Sequence, residues 1–135
     1  MSYSVYDDKQ LDCIDTVLRK DLIDIGVEYA VLIDMAGNII SQCHKNKDSI
    51  DASAFAALAI GNFATVDAMA KMVGEDEFSL LFHQGKKTSV HLSRVLDELL
   101  LITTFDKELG LGFLWIKIAE TIKKIKKICR SSRRG

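Results

Sequence analysis

The spacing of apolar residues changes along this chain, and each change marks an element. From residue 7 or 8 to residue 25, Leu11, Ile14, Val17, Leu18, Leu22 and Ile25 recur at steps of three and four behind an aspartate-rich start. That is the pattern of an amphipathic helix with one buried stripe. Gly26 supplies the left-handed conformation that ends such a helix. A strand over 28–35 follows, and its unbroken run Ala30-Val31-Leu32-Ile33 predicts cover on both faces of the sheet. Asp34-Met35-Ala36-Gly37-Asn38 has turn chemistry, residues 39–43 make the returning strand of a hairpin, and 44–49 is a polar loop.

The second helix differs in kind. Asp51 or Ser53 caps it, it runs to about Met72, and Gly74 lies just beyond. Only Ser53, Asn62, Thr65, Asp67 and Lys71 interrupt its alanines and large apolar residues; Ser53, Asp67 and Lys71 share a narrow strip, with Asn62 nearly opposite. A helix apolar almost all round is buried almost all round, yet in a chain this short its own sheet covers one side only.

Three strands come next. Phe78, Leu80 and Phe82 alternate with Ser79, Leu81 and His83, and Val90 and Leu92 alternate with Ser89, His91 and Ser93. Matching the apolar faces sets Phe82 opposite Val90, with an odd loop centred on Gly85-Lys86-Lys87. Asp97-Glu98 turns the chain, and 99–105 is apolar on both faces, as a central strand is. A last helix runs from Leu111 or Gly112 toward Ile128. The expected fold class is α/β (α+β), in the order α-β-β-α-β-β-β-α, with a five-stranded antiparallel sheet and helices on both faces.

Composition adds one point. The 135 residues are 48% hydrophobic and 27% charged without proline, which fits one domain and excludes intrinsic disorder. The net charge of -1 hides an asymmetry: residues 1–116 carry 10 basic and 18 acidic side chains, whereas 117–135 carry 8 basic ones and only Glu120 as an acid. We expect a single domain over 1–128 and a basic disordered tail over 129–135. Cys13, Cys43 and Cys129 are too few and too far apart for a disulfide framework or a CxxC motif, so they read as free thiols. No uninterrupted apolar stretch reaches membrane length and the acidic start is no signal peptide, so a cytoplasmic protein is expected.

Gly26-Val27-Glu28-Tyr29-Ala30-Val31-Leu32-Ile33-Asp34 with Gly37 and Ile39, the small-residue helix over 56–70, and Leu109-Gly110-Leu111-Gly112 leading into the last helix together resemble the Roadblock/dynein light chain family. The likeness extends over most of 11–125. Within the family the chain is similar to free-standing bacterial and archaeal proteins of the gliding-motility type, which act on a small Ras-like GTPase. The resemblance implies a homodimer in which the second helix packs beside its twin and the third strand pairs with its twin. On this chain that points to Phe55, Ala59, Asn62, Phe63, Val66, Met69, Phe78, Leu80 and Phe82. The surplus apolar surface of the helix points to the same element independently.

Candidate chemistry is sparse. The sequence has neither GxxxxGK[ST] nor GxGxxG. Cys43 and His44 are adjacent on a strand, where neighbours point to opposite faces, so they read as an incidental surface pair. In the register above His83 and His91 are diagonal neighbours on one face, but no third metal ligand accompanies them. The acidic runs 75–77 and 97–98 read as solvated turns. Asn62, on an apolar face, needs a hydrogen bond with its twin or one donated to a main-chain carbonyl of its own chain. Neither cofactor nor metal is expected.

Trp115, Ile118, Ile122, Ile125 and Cys129 form the apolar stripe of the last helix, and Lys123, Lys124, Lys126, Lys127 and Arg130, with Arg133 and Arg134 beyond, make its end basic. The first part lies on the sheet. The basic end docks on an acidic protein, the GTPase or a twin, or lies on anionic lipid. Nucleic acid is disfavoured by the acidic body. The sequence therefore points to a non-enzymatic homodimeric module that binds and regulates a small Ras-like GTPase, with stimulation of hydrolysis left open. The alternative is a scaffold tethering a complex to a membrane or motor through the basic helix. Arg19 and Arg94 read as surface residues.

Overall fold

The computed structural model describes residues 6–46, 50–75 and 80–131. The elements are α1 (Asp8–Asp21), a single 3-10 turn (Ile23–Ile25), β1 (Val27–Asp34), β2 (Ile39–His44), α2 (Ala52–Met72), β3 (Leu80–Gln84), β4 (Thr88–Leu96), β5 (Leu99–Asp106) and α3 (Leu111–Ser131). Their order is the expected one. Phe78 and the acidic residues Asp76 and Glu77 lie outside the described residues, as do 47–49 of the polar loop.

α1 opens with a reciprocal cap: the Asp7 carboxylate accepts from the Gln10 N–H, and the Gln10 side chain accepts from the Asp7 N–H. It stops at Asp21 rather than at the expected Ile25. Leu22 and Ile23 are both buried, and after Asp21 the backbone tightens into the 3-10 turn. Gly26 closes that turn at φ 121° and releases the chain into β1. The turn after β1 is held by the Asp34 carboxylate, which accepts from the N–H groups of Ala36 and Asn38. Asp51 caps α2 by accepting from Ala54 N–H, so Ser53 is not the cap.

The strands form one antiparallel sheet in the order β2-β1-β5-β4-β3. β5 is central, and its residues 99–105 are all buried. One face packs under α1 and α3, where Ala30, Leu32, Leu99, Leu101 and Phe105 meet Ile14, Leu18, Ile118 and Ile125. The other packs under α2, where Tyr29, Val31, Ile33, Leu92, Leu100 and Ile102 meet Ala56, Ala59 and Phe63.

The register of β3 on β4 corrects the expected one by a single residue. Phe82 lies opposite His91, and His83 opposite Val90. The turn between them is even: Gly85 N–H donates to Thr88 O at 3.0 Å around Lys86-Lys87. A Cβ on residue 85 would sit 2.6 Å from that carbonyl oxygen, so the close approach calls for glycine. Because both faces of the sheet are covered, matching apolar faces does not select a register, and the turn decides it. The slip sends His91 and His83 to opposite faces. Phe82 packs against Phe105 and Trp115 on the α3 side.

α3 continues through Ser131, past the expected domain end at 128. Ile125 and Cys129 are buried in the core, and the Gln10 side chain donates to the Ile128 carbonyl at 3.0 Å. The basic end is therefore helical through Ser131 and packed into the core as far as Cys129. Arg133 and Arg134 lie outside the described residues.

Candidate interaction face

α2 covers its side of the sheet alone. Its inner face is set by Ala56, Ala59, Phe63 and Ala70, all buried, and it is anchored to β4 by the Arg94–Asp67 ion pair at 2.7 Å. Arg94 also donates to the Asp97 carbonyl at 3.1 Å and stacks its guanidinium over the Phe63 ring. Its side chain is mostly buried, so the expectation of a surface arginine does not hold. Asp67, read from sequence as part of a polar strip, is the other half of this anchor.

The outer face has no such partners. Ala54, Leu58, Gly61, Thr65, Ala68 and Met72 are exposed at alternating steps of four and three, so they lie in one straight stripe along the helix. Leu58 is 74% and Met72 86% exposed. Small residues at 54, 61, 65 and 68 leave the backbone open to close approach, while Leu58 and Met72 project at either end. By length and composition the helix could cross a bilayer, but its sheet-facing side and the Arg94 anchor make it a covering layer of the fold.

The residues expected at a dimer interface divide accordingly. Ala59, at 8% exposure, and Phe63, at 3%, face their own sheet and are not available to a partner. Phe55 packs on the same inner cluster and against Tyr29. Val66 is half-buried on the flank, and Met69 is exposed. Phe82 turns to the α3 side, and Phe78 lies outside the described residues. Asn62 meets His83 Nε2 through its side-chain nitrogen at 2.9 Å, so its partner is neither a main-chain carbonyl nor, in this chain alone, a twin. Leu80 belongs to β3, which forms the sheet edge next to α2. The sequence missed the outer stripe because no polar face marks which side of α2 points away from the sheet.

The other candidate groups do not converge. Cys43 is buried, not exposed at a hairpin end, and burial raises its thiol pKa. His44 stacks on Tyr29, whose hydroxyl donates to Gln42. His91 is buried beside Ser93 Oγ at 3.1 Å, and burial lowers its pKa to about 4. No group of three His, Cys, Asp or Glu side chains among the described residues is placed to hold a metal.

Comparison with known proteins fits this geometry. The Roadblock/LC7 domain matches residues 15–105, from within α1 through β5. The chain belongs to the Roadblock/LC7 family. Among solved structures, Myxococcus xanthus MglB is 28% identical, superposes with a TM-score of 0.88, and covers 96% of each chain. The gliding protein MglB from Thermus thermophilus is 22% identical with a TM-score of 0.77, covering 97% of this chain and 95% of that one. A further structure, described as MglB with tetrameric arrangement, is 21% identical at a TM-score of 0.78, over 98% of this chain and 95% of that one. No curated protein matches by sequence.

Proposed function

We propose that this chain is a homodimeric, non-enzymatic interaction module that binds and regulates a small Ras-like GTPase in the cytoplasm. The observation that carries it is the outer stripe of α2: exposed apolar residues at heptad spacing with small residues between, on a helix whose inner side is already satisfied. A twin helix laid along that stripe buries it, and the β3 edge beside it offers unpaired backbone groups for continuing the sheet. The likeness to MglB supports the choice of a GTPase as the regulated partner.

Light scattering of the purified chain tests the dimer. We expect a dimer at micromolar concentration, and monomers for Leu58→Glu/Met72→Glu with unchanged far-UV circular dichroism. A monomeric native chain rejects it. Mixing the protein with the Ras-like GTPase encoded nearest to it, loaded with GTP or GDP, tests the partner through binding and phosphate release. Binding that ignores the nucleotide, or is absent, rejects the GTPase. Stimulated phosphate release is compatible with a regulator that reshapes the GTPase's own site.

A further inference from the structure

On the face of the sheet remote from α2, α1 and α3 lie side by side, joined by the Gln10–Ile128 hydrogen bond and by the Lys124–Asp21 ion pair at 2.7 Å. Between them runs an open groove of about 530 Å³. Val17, Ile128 and Cys13 give it an apolar floor, Lys9, Lys124 and Lys127 stand along it, and Asp12 is its one acid. Asp21 holds Lys124 in place, whereas Lys9 and Lys127 have no carboxylate partner among the described residues.

We propose that this groove docks an amphipathic helix of a second protein, which lays an apolar stripe on Val17 and Ile128 and presents acidic side chains to Lys9 and Lys127. The dimensions suit a helix: from Lys9 to Val17 the groove follows α1 for about 12 Å at ~1.5 Å per residue, a little over two turns, and two neighbouring helices make a natural seat for a third. The mixed charge selects a protein over a lipid. Asp12, in the groove itself, asks for a donor that neither a fatty acid nor an anionic bilayer offers. A helix with one acidic edge meets Lys9 and Lys127 and leaves Asp12 to a donor, whereas a uniformly anionic surface is repelled at Asp12. The site is separate from the α2 stripe, so it does not depend on the dimer or on the GTPase.

The test uses the full chain and two fluorescent helical peptides of about 14 residues with leucines at i, i+3, i+4 and i+7. One is flanked by glutamates and the other by lysines. We expect the acidic peptide to bind at least about tenfold more tightly than the basic one, and to shield Cys13, the exposed thiol, from alkylation. The exposed double substitution Lys9→Glu/Lys127→Glu should reverse the preference. Equal binding of both peptides, unprotected Cys13, an unreversed preference, or binding to phosphatidylglycerol vesicles in place of the peptide each overturns the proposal.

Discussion

The two faces of the sheet are covered in different ways, and the difference lies in what each covering layer turns outward. Under α1 and α3 the layer is finished apart from the groove between the two helices. Long side chains such as Ile14, Leu18, Leu101, Phe105 and Ile125 interlock, and α1 and the later turns of α3 carry mostly charged residues outward, while Phe113 and Ile116 stay exposed near the start of α3. Under α2 it is not. Alanines and Phe63 meet the sheet, and the opposite side of the same helix repeats an apolar stripe to solvent. A helix that separates core from water needs one apolar face; a helix that separates core from another protein needs two. The contrast between α1 and α2 in the outward side chains is what the proposed dimer rests on.

The largest effect that sharpens this contrast comes from the finished side. Leu101 is fully buried beneath α1 and α3, and Leu101→Ala should cost about 2–5 kcal/mol by lost transfer and a residual cavity. Leu58→Ala, on the unfinished side, should change the stability of the isolated fold by no more than about 0.5 kcal/mol, while weakening self-association. Urea unfolding at several protein concentrations separates the two, because only the second effect depends on concentration.

His91 gives the finished side a pH dependence. Burial holds its folded pKa at about 4, below the usual imidazole value of about 6.5. Between those values the unfolded chain takes up a proton that the native state refuses, so stability is greatest above about pH 6.5 and falls as pH drops. The loss levels off below about pH 4 and is about 3 kcal/mol at most. Unfolding curves at pH 7 and 4.5 should differ more for the native chain than for His91→Gln. An equal difference in the two proteins removes His91 from the account.

Arg94 tests the unfinished side from within. Truncation in Arg94→Ala leaves Asp67, which already has one buried oxygen without a partner, next to β4 without its cation. We expect a loss of about 1–3 kcal/mol, with Arg94→Lys recovering only part of it because the lysine cannot bridge Asp67 and the Asp97 carbonyl while stacking on Phe63. Thermal unfolding of the three proteins checks the ranking.

What the sequence disclosed, and what it did not, follows the same division. Apolar period alone places every helix and strand in order, and the unbroken run of β5 marks it as the central strand. The missing polar face of α2 sets it apart from α1 and α3 and is the ground for the proposed partner. The side of α2 that meets the sheet was not legible, because a helix apolar all round carries no signal of direction; the Arg94–Asp67 anchor and the bulk of Phe63 settle it through contacts distant in sequence. The β3–β4 register was hidden for a related reason, since a sheet covered on both faces accepts apolar residues on either. The basic tail is expected to begin at 129, yet Cys129, the last residue of the apolar stripe, is buried with Ile125 in the core. Charge describes the outward side of that helix and is silent about the inward one.

The smallest predicted effect concerns the turn that sets this register. Gly85 brings its backbone against Thr88 so closely that an added Cβ would lie 2.6 Å from the carbonyl oxygen, a distance that forces one strand end to move. Gly85→Ala should cost about 1 kcal/mol, less than the core substitutions, because the hairpin tip is exposed and can give. Its second consequence is more telling. Loosening the turn frees β3 at the sheet edge, so hydrogen exchange at Phe82 and Gln84 should speed up while that at Leu101 and Ile102 stays unchanged. If exchange instead rises equally along β5, the edge strand and the central strand open as one unit, and the proposed pairing edge is as firmly held as the core.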